Sequence, residues 1–278
     1  MSTASPTGLP EFLIIGAAKA ATTWIANQLR ARPDVFIPGP EPHYFSREYD
    51  RGEQWYRAWF EDSRFEQLVG EKSADYLADP MAPERISRLL PDAKIVVQLR
   101  NPVDRAYSDY CMLYRRGTVS GEIQKFLGSQ DNPQPRFLND GLYNQHLRRF
   151  LDYFPETNIK VILYEDIRTT PQQVVSNVND FLGLPDLGPE TQLVERANVK
   201  DAPLLPLAVR RTLAPAKALV APLRSKPWFK AIHGALSKEM QYPELTHDLK
   251  QSMQSFYSQD VQGLGTLLQR DLSHWLRD

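Results

Sequence analysis

Phe12-Leu-Ile-Ile-Gly16-Ala-Ala-Lys19-Ala-Ala-Thr22-Thr23-Trp24-Ile25 is the stretch from which the rest of the chain is read. The apolar run Phe12 to Ile15 predicts a buried strand. Gly16 ends it, small residues follow, and Trp24, Ile25 and Leu29 recur at helical spacing. Strand, tight loop and helix in that order bring backbone N–H groups, one ammonium and two hydroxyls to a point, which makes an anion site. A small-residue turn of this kind also serves plain tight packing, so the loop alone does not settle its use. Lys19 is not directly followed by Ser or Thr, so this is not the lysine-containing phosphate loop of nucleoside triphosphatases.

The same alternation continues downstream. Lys94 to Leu99 predicts a second buried strand, and Asn101 with Pro102 forms a cap and first-turn pair for a helix through about Arg116. A helix around Tyr143 to Phe154 precedes a third strand, Ile159 to Tyr164. Strands alternating with helices predict an α/β fold, a doubly wound parallel sheet flanked by helices, with ligands at the carboxyl ends of the strands. Apolar residues at 42 % of 278 suffice for one large core, and nothing reads as a linker. The expectation is a single domain over residues 11–278 behind a disordered tail, residues 1–10. Leu249, Met253, Phe256, Val261, Leu264 and Leu268 predict a packed helix near the carboxyl end, followed by Trp275. Between Ala202 and Ser237 there is no acidic residue, while Arg210, Arg211, Lys217, Arg224, Lys226 and Lys230 accumulate. That region reads as a solvated helical surface or as a face toward negative charge.

A net charge of −1 argues against nucleic acid or an anionic membrane as the main partner. Cys111 is the one cysteine, which excludes an intramolecular disulfide and a cysteine metal cluster, and suits a reducing cytoplasm. No run approaches the length of a spanning helix, and Met1 to Pro10 has no signal-peptide pattern. No residue pattern speaks to oligomeric state, and a homodimer stays open.

The spacing Gly16-x-x-Lys19-x-x-Thr22-Thr23 resembles the 5′-phosphosulfate loop of the sulfotransferase superfamily, which uses 3′-phosphoadenosine 5′-phosphosulfate as donor; the usual form has Gly where this chain has Ala21. A second match, Leu99-Arg100-Asn-Pro-Val-Asp-Arg105-Ala-Tyr-Ser108-Asp-Tyr110, is similar to the family's 3′-phosphate segment, an arginine at a strand end and a serine eight residues on. Glu71-Lys72-Ser-Ala-Asp-Tyr76 resembles the Glu-Lys-Ser/Thr segment of the heparan-sulfate-type enzymes (N- and 3-O-), and Glu41-Pro-His43-Tyr-Phe45 their Lys-Glu-x-x-Phe-Phe element, with Pro40 in place of the lysine. Val161-Ile-Leu-Tyr-Glu-Asp166 adds a familiar later strand.

The resemblance implies a P-loop-like fold and a set of roles. Gly16, Lys19, Ala20, Ala21, Thr22 and Thr23 would cradle the 5′-phosphosulfate, with Trp24 near the adenine or, more simply, in the core. Arg100 and Ser108 would hold the 3′-phosphate, leaving Arg105 to the surface or to helix pairing. Lys19 and Lys72 would face the transferring group, Glu41 would be the base, and His43 would contact the acceptor. On chemistry alone His43 leads as base, since imidazole suits neutral pH; the resemblance favours Glu41. An extended segment would place both on one face. Sulfuryl transfer needs fixed positive charge at the leaving oxygen and no divalent metal, so the expected product is adenosine 3′,5′-bisphosphate and the expected metal requirement is none. The acceptor would be a glycan or another small-molecule alcohol or amine, with Trp55, Tyr56, Arg57 and Trp59 as candidate cleft residues or core. The adenine-side loop has no clear counterpart, with Lys200 and the acid-free region as its candidates. Two rival readings remain. One is an ATP- and Mg²⁺-dependent phosphotransferase or NTPase with Glu165 and Asp166 as metal acids; the other is a nucleotide-binding module without chemistry.

Overall fold

In a computed structural model of the chain, residues 8–185, 193–194 and 240–277 are described. Lys200 and the acid-free region lie outside them. The strand predicted first is β1, Phe12–Gly16, and all of Phe12, Leu13, Ile14 and Ile15 are fully buried. Burial on both faces marks a central strand of a parallel sheet. Period two then splits its side chains: Leu13 and Ile15 enter one apolar layer, Phe12 and Ile14 the other.

From β1 the chain passes through α1 (Thr22–Arg30) and β2 (Val35–Phe36) to α2 (Glu53–Arg57) and β3 (Leu68–Lys72). It continues through α3 (Ala82–Leu89), β4 (Lys94–Leu99) and α4 (Pro102–Arg116). After α5 (Ile123–Leu127), α6 (Arg136–Asn139) and α7 (Tyr143–Leu151) comes β5 (Ile159–Leu163), followed by α8 (Tyr164–Thr169) and α9 (Pro171–Leu182). Helix α10 spans His247–Leu268. The five strands form one sheet in the order β2-β3-β1-β4-β5, every pairing parallel. The loops after β1, β3 and β4 therefore leave the same end of the sheet, with β1 between its two neighbours. The β1–β4 register slips between Ile14 and Gly16, where β1 turns away and Ala17 N–H donates to the Gln98 carbonyl at 2.6 Å.

Helix α4 begins as expected: Asn101 Oδ1 accepts from Val103 N–H, Pro102 fills the first turn, and Gly117 closes the helix in the left-handed region. Leu249, Met253, Tyr257, Val261 and Leu264 of α10 are buried in the larger apolar layer, where they complete the core beside α4 and α7.

Two sequence expectations change, and two open alternatives are decided. Strand β5 stops at Leu163, and Tyr164 to Asp166 begin α8. Leu9, inside the expected tail, is buried in the core. Arg105 is not a surface residue: it is fully buried, donates to the Phe137 carbonyl, and lies near Asp109, which is also buried and gripped by Arg136 at 2.8 and 2.9 Å. A guanidinium can lie inside only where carbonyl and carboxylate oxygens meet it. Tyr56 is fully buried and donates to Glu71, so it belongs to the core and not to a cleft.

Candidate active site

The loop between β1 and α1 is built on conformations that exclude ordinary side chains. Gly16 has φ 146°, and a Cβ there would lie 2.8 Å from Leu77 Cβ and 2.9 Å from the Ala74 carbonyl oxygen. Only glycine allows this approach of the loop to the β3 side of the sheet. Lys19 and Ala21 also take positive φ, at 73° and 69°. Ala21 is the N-cap of α1, with no capping side chain and no acidic residue in the first helical turn. The leading N–H groups of α1 thus have no side-chain acceptor, and the helix dipole makes their end positive.

Around that end stand three cations. The Lys19 ammonium reaches Met112 Sδ at 3.7 Å, a weak acceptor. Burial pushes its pKa down; Asp109 opposes that push, whereas Arg116 and Arg100 add to it. Arg100, the residue after β4, stacks its guanidinium on Tyr164 at 4.8 Å and touches Asp104 only at 3.5 Å. Its Nε is buried and has no hydrogen-bond partner among the described residues. An unpaired buried N–H on a cation fits an absent anionic oxygen. Ser108 is half-buried on α4.

The third cation, Lys72, ends β3 and is buried. Its Nζ donates to Thr23 Oγ1 at 3.1 Å and to Glu41 Oε1 at 2.5 Å. One ammonium therefore ties the anion loop to the carboxylate expected as base. Glu41 Oε2 accepts from Ala74 N–H at 2.9 Å. The segment that carries Glu41 is pinned by arginines: Arg30 donates to the carbonyls of Ile37 and Pro38, and Arg85 to those of Phe45 and Ser46.

That segment is not extended, because His43 sits at φ 53°. The two side chains nevertheless converge, His43 Nε2 lying 3.8 Å from Glu41 Oε2. His43 Nδ1 is 2.6 Å from Asp75 Oδ1. Glu41, His43 and Asp75 present ligand-type atoms within 4.8 Å of one another, although the Lys72 ammonium already balances Glu41.

Behind the site is a buried carboxyl. Glu71 accepts from Ser73 Oγ at 2.5 Å and Tyr76 Oη at 2.8 Å, and from Tyr56. Burial pushes its pKa up to about 7 despite these three hydroxyls. Ser73 Oγ in turn accepts from the His43 N–H at 2.9 Å, so the core carboxyl helps seat the histidine.

Two alternatives narrow here. Trp24 is buried on the helix–sheet side, and its indole N–H donates to the Val194 carbonyl at 3.2 Å, which fits the core reading of the two. Glu165 and Asp166 are engaged at the carboxyl end, Glu165 by the Trp275 indole at 3.0 Å and Asp166 by Arg270 at 2.8 and 3.1 Å. Of the other loop residues, Thr22 and Ala20 are buried and Thr23 is exposed. Sequence reasoning quoted Asp75 inside a motif without giving it a role, and passed over Arg30, Met112 and Arg116. Their signal is positional and appears only once β3, α1 and α4 are assembled.

The family model for the sulfotransferase domain matches residues 9–265. Heparan sulfate glucosamine 3-O-sulfotransferase 6 of Mus musculus is 39 % identical over 180 residues, which cover 63 % of this chain and 52 % of that protein. Bifunctional heparan sulfate N-deacetylase/N-sulfotransferase 2 of Bos taurus is 34 % identical over 195 residues, 63 % of this chain and 22 % of its own. The chain spans about half the length, or less, of these curated relatives. Among solved structures, a sulfotransferase from Alicyclobacillus acidocaldarius superposes with TM-score 0.72 at 28 % identity, covering 97 % of this chain and 99 % of that one.

Proposed function

Since the chain belongs to the sulfotransferase domain family, we propose that it transfers a sulfuryl group from 3′-phosphoadenosine 5′-phosphosulfate to a hydroxyl or amine of a glycan acceptor. The observation that carries the reading is the Lys72 ammonium, bonded at once to Thr23 of the anion loop and to Glu41. Such a bridge sets a base and a cation side by side at the mouth of a phosphate cradle.

When bound, the donor supplies the sulfuryl group and a bisphosphate that leaves. The amides from Gly16 to Thr23 and the Thr23 hydroxyl hold the 5′-side oxygens, and Arg100 with Ser108 holds the 3′-phosphate. The unpartnered Arg100 Nε and the weakly engaged Lys19 fit such a ligand. Glu41 takes the proton of the acceptor O–H or N–H as its heteroatom forms the new bond to sulfur. The bond from sulfur to the bridging oxygen breaks in the same step, and Lys19 and Lys72 meet the charge left on that oxygen. Two lysines supply the countercharge, so the reaction as proposed requires no divalent metal. The acceptor class follows the relatives, whose names specify heparan sulfate. A reducing, cytoplasmic setting belongs to the same proposal and rests on the chain's single cysteine, Cys111, which is buried in the core. Among the described residues no helix is long and apolar enough to cross a membrane.

The test uses the full chain with a chelator present. Adenosine 3′,5′-bisphosphate is expected to raise the melting temperature, radiolabelled donor to sulfate a heparan-type glycan, and Glu41→Gln to cut turnover by about 10²- to 10⁴-fold while keeping the bisphosphate effect. Stabilisation by ATP with Mg²⁺ and none by the bisphosphate would overturn the proposal in favour of phosphoryl chemistry. That rival is not favoured by the ties of Asp166 and Glu165 to Arg270 and Trp275.

A further inference from the structure

Asp75 lies three residues beyond Lys72, on the stretch that leaves β3, and its carboxylate is divided between two partners. Oδ1 meets His43 Nδ1 at 2.6 Å, and Oδ2 accepts from Ser46 Oγ at 2.9 Å. An ionised carboxylate only accepts hydrogen bonds, so the nitrogen facing it must carry a proton. Burial works to raise the Asp75 pKa, but the hydrogen bond and charge of His43 and the Ser46 hydroxyl outweigh it and hold it below its ordinary value. With Nδ1 protonated, a neutral His43 ring has its lone pair on Nε2.

The backbone fixes where that lone pair points. His43 occupies the left-handed region at φ 53°, which a non-glycine residue keeps only when its surroundings overdetermine it. Its N–H donates to Ser73 Oγ at 2.9 Å, and its carbonyl accepts from Glu48 N–H at 3.1 Å. Nε2 is thereby directed at Glu41 Oε2 across 3.8 Å. That gap is too long for a hydrogen bond and leaves room for a third polar group to be shared by both atoms.

We infer that Asp75 is a positioning residue for the acceptor: it holds His43 in the Nδ1–H form, so that a bare Nε2 accepts a hydrogen bond from the acceptor beside Glu41 Oε2, which receives the reacting O–H or N–H proton. The inference rests on the proposed sulfuryl transfer and extends it. The acceptor's reacting O–H or N–H donates to Glu41 Oε2, which takes that proton as the heteroatom bonds to sulfur, while a second donor of the acceptor, a neighbouring hydroxyl or the other amine N–H, donates to Nε2 and fixes how the acceptor lies.

Two variants and one spectroscopic reading test this. In selectively nitrogen-labelled protein, with His43 identified by its loss in His43→Gln, NMR at a pH where the ring is neutral is expected to show a protonated Nδ1 and a bare Nε2. Asp75→Asn is expected to shift that pattern and to lower kcat by about 10- to 10²-fold, the loss typical when the group orienting a histidine is removed. Bisphosphate affinity and the donor KM should stay unchanged. Asp75→Glu should recover part of kcat. A protonated Nε2 in the unaltered protein, or an Asp75→Asn variant with full kcat, would overturn the inference. So would a parallel loss of bisphosphate affinity, which signals a collapsed loop. Absence of any sulfuryl transfer by the unaltered chain would count against the proposed function, and the tautomer would still decide what Asp75 does.

Discussion

Each cation around the anion loop is held differently, and that difference separates binding from chemistry. Lys72 is committed to Thr23 and Glu41, whereas among the described residues Lys19 reaches the Met112 thioether and lies where burial disfavours its charge. A cation so weakly engaged at rest interacts most strongly with charge that appears later, at the leaving oxygen. Lys19→Ala is therefore expected to cut kcat by roughly 10²- to 10³-fold while weakening bisphosphate binding by far less; calorimetry beside single-turnover kinetics separates the two. Arg100→Glu should do the reverse, abolishing measurable bisphosphate binding, because it removes a planar donor and adds repulsion. Bisphosphate affinity unaltered in Arg100→Glu would remove the 3′-phosphate role from the β4 end.

At the scale of an element, the β1–α1 turn contains one residue that suits its conformation and one that does not. Gly16, at φ 146°, faces the Ala74 carbonyl oxygen so closely that a methyl group has no place. Ala21 is left-handed at φ 69° and ψ 24°, a conformation in which an L side chain is strained by about 1 kcal/mol. Gly16→Ala should accordingly destabilise the chain by more than about 2 kcal/mol, through clash and backbone strain together. Ala21→Gly should be neutral or stabilising by up to about 1 kcal/mol, strain relief being partly offset by the greater freedom of glycine when unfolded. Denaturant midpoints measure both. Equal destabilisation by the two would mean that the loop conformation is not the one described.

For the whole molecule, Glu71 couples the site to folding. It joins Tyr56 of α2 to Ser73 and Tyr76 beyond β3, entirely within the core. Its pKa is raised from 4.5 to about 7 by burial, so the folded chain holds this proton more tightly than the unfolded one. The resulting stabilisation is fully present below about pH 4.5 and is lost as pH rises through about 7. At about 1.36 kcal/mol per pH unit the swing is on the order of 3 kcal/mol. His146 acts in the opposite direction: burial lowers its pKa from 6.5 to about 4, and its contribution is lost as pH falls through that window. Unfolding free energies of the unaltered chain and of Glu71→Gln, compared from pH 4.5 to 7, isolate the glutamate. Their difference should shrink as pH rises, and a constant difference would mean that Glu71 ionises freely.

What the sequence determined by itself was everything carried by local period and spacing. β1 and β4 were legible because runs buried on both faces are continuous in apolar character, and α4 because Asn101 and Pro102 announce its start. The places of the β1–α1 loop and of Arg100 at the end of β4 were legible because each directly follows an apolar run. Tertiary structure decided whatever depends on separate segments arriving at one point. Arg105 read equally as a surface cation or a helix-pairing one until Phe137 and Asp109 closed around it, and the core reading of Trp24 gained its partner only when Val194 took the indole N–H. The convergence of Glu41 and His43 does not follow from an extended strand; it needs a left-handed turn at His43, braced from β3 by Ser73 and Asp75. Spacing along a chain encodes direction only within one regular element, whereas hydrogen bonds between residues thirty positions apart are set by how the elements pack.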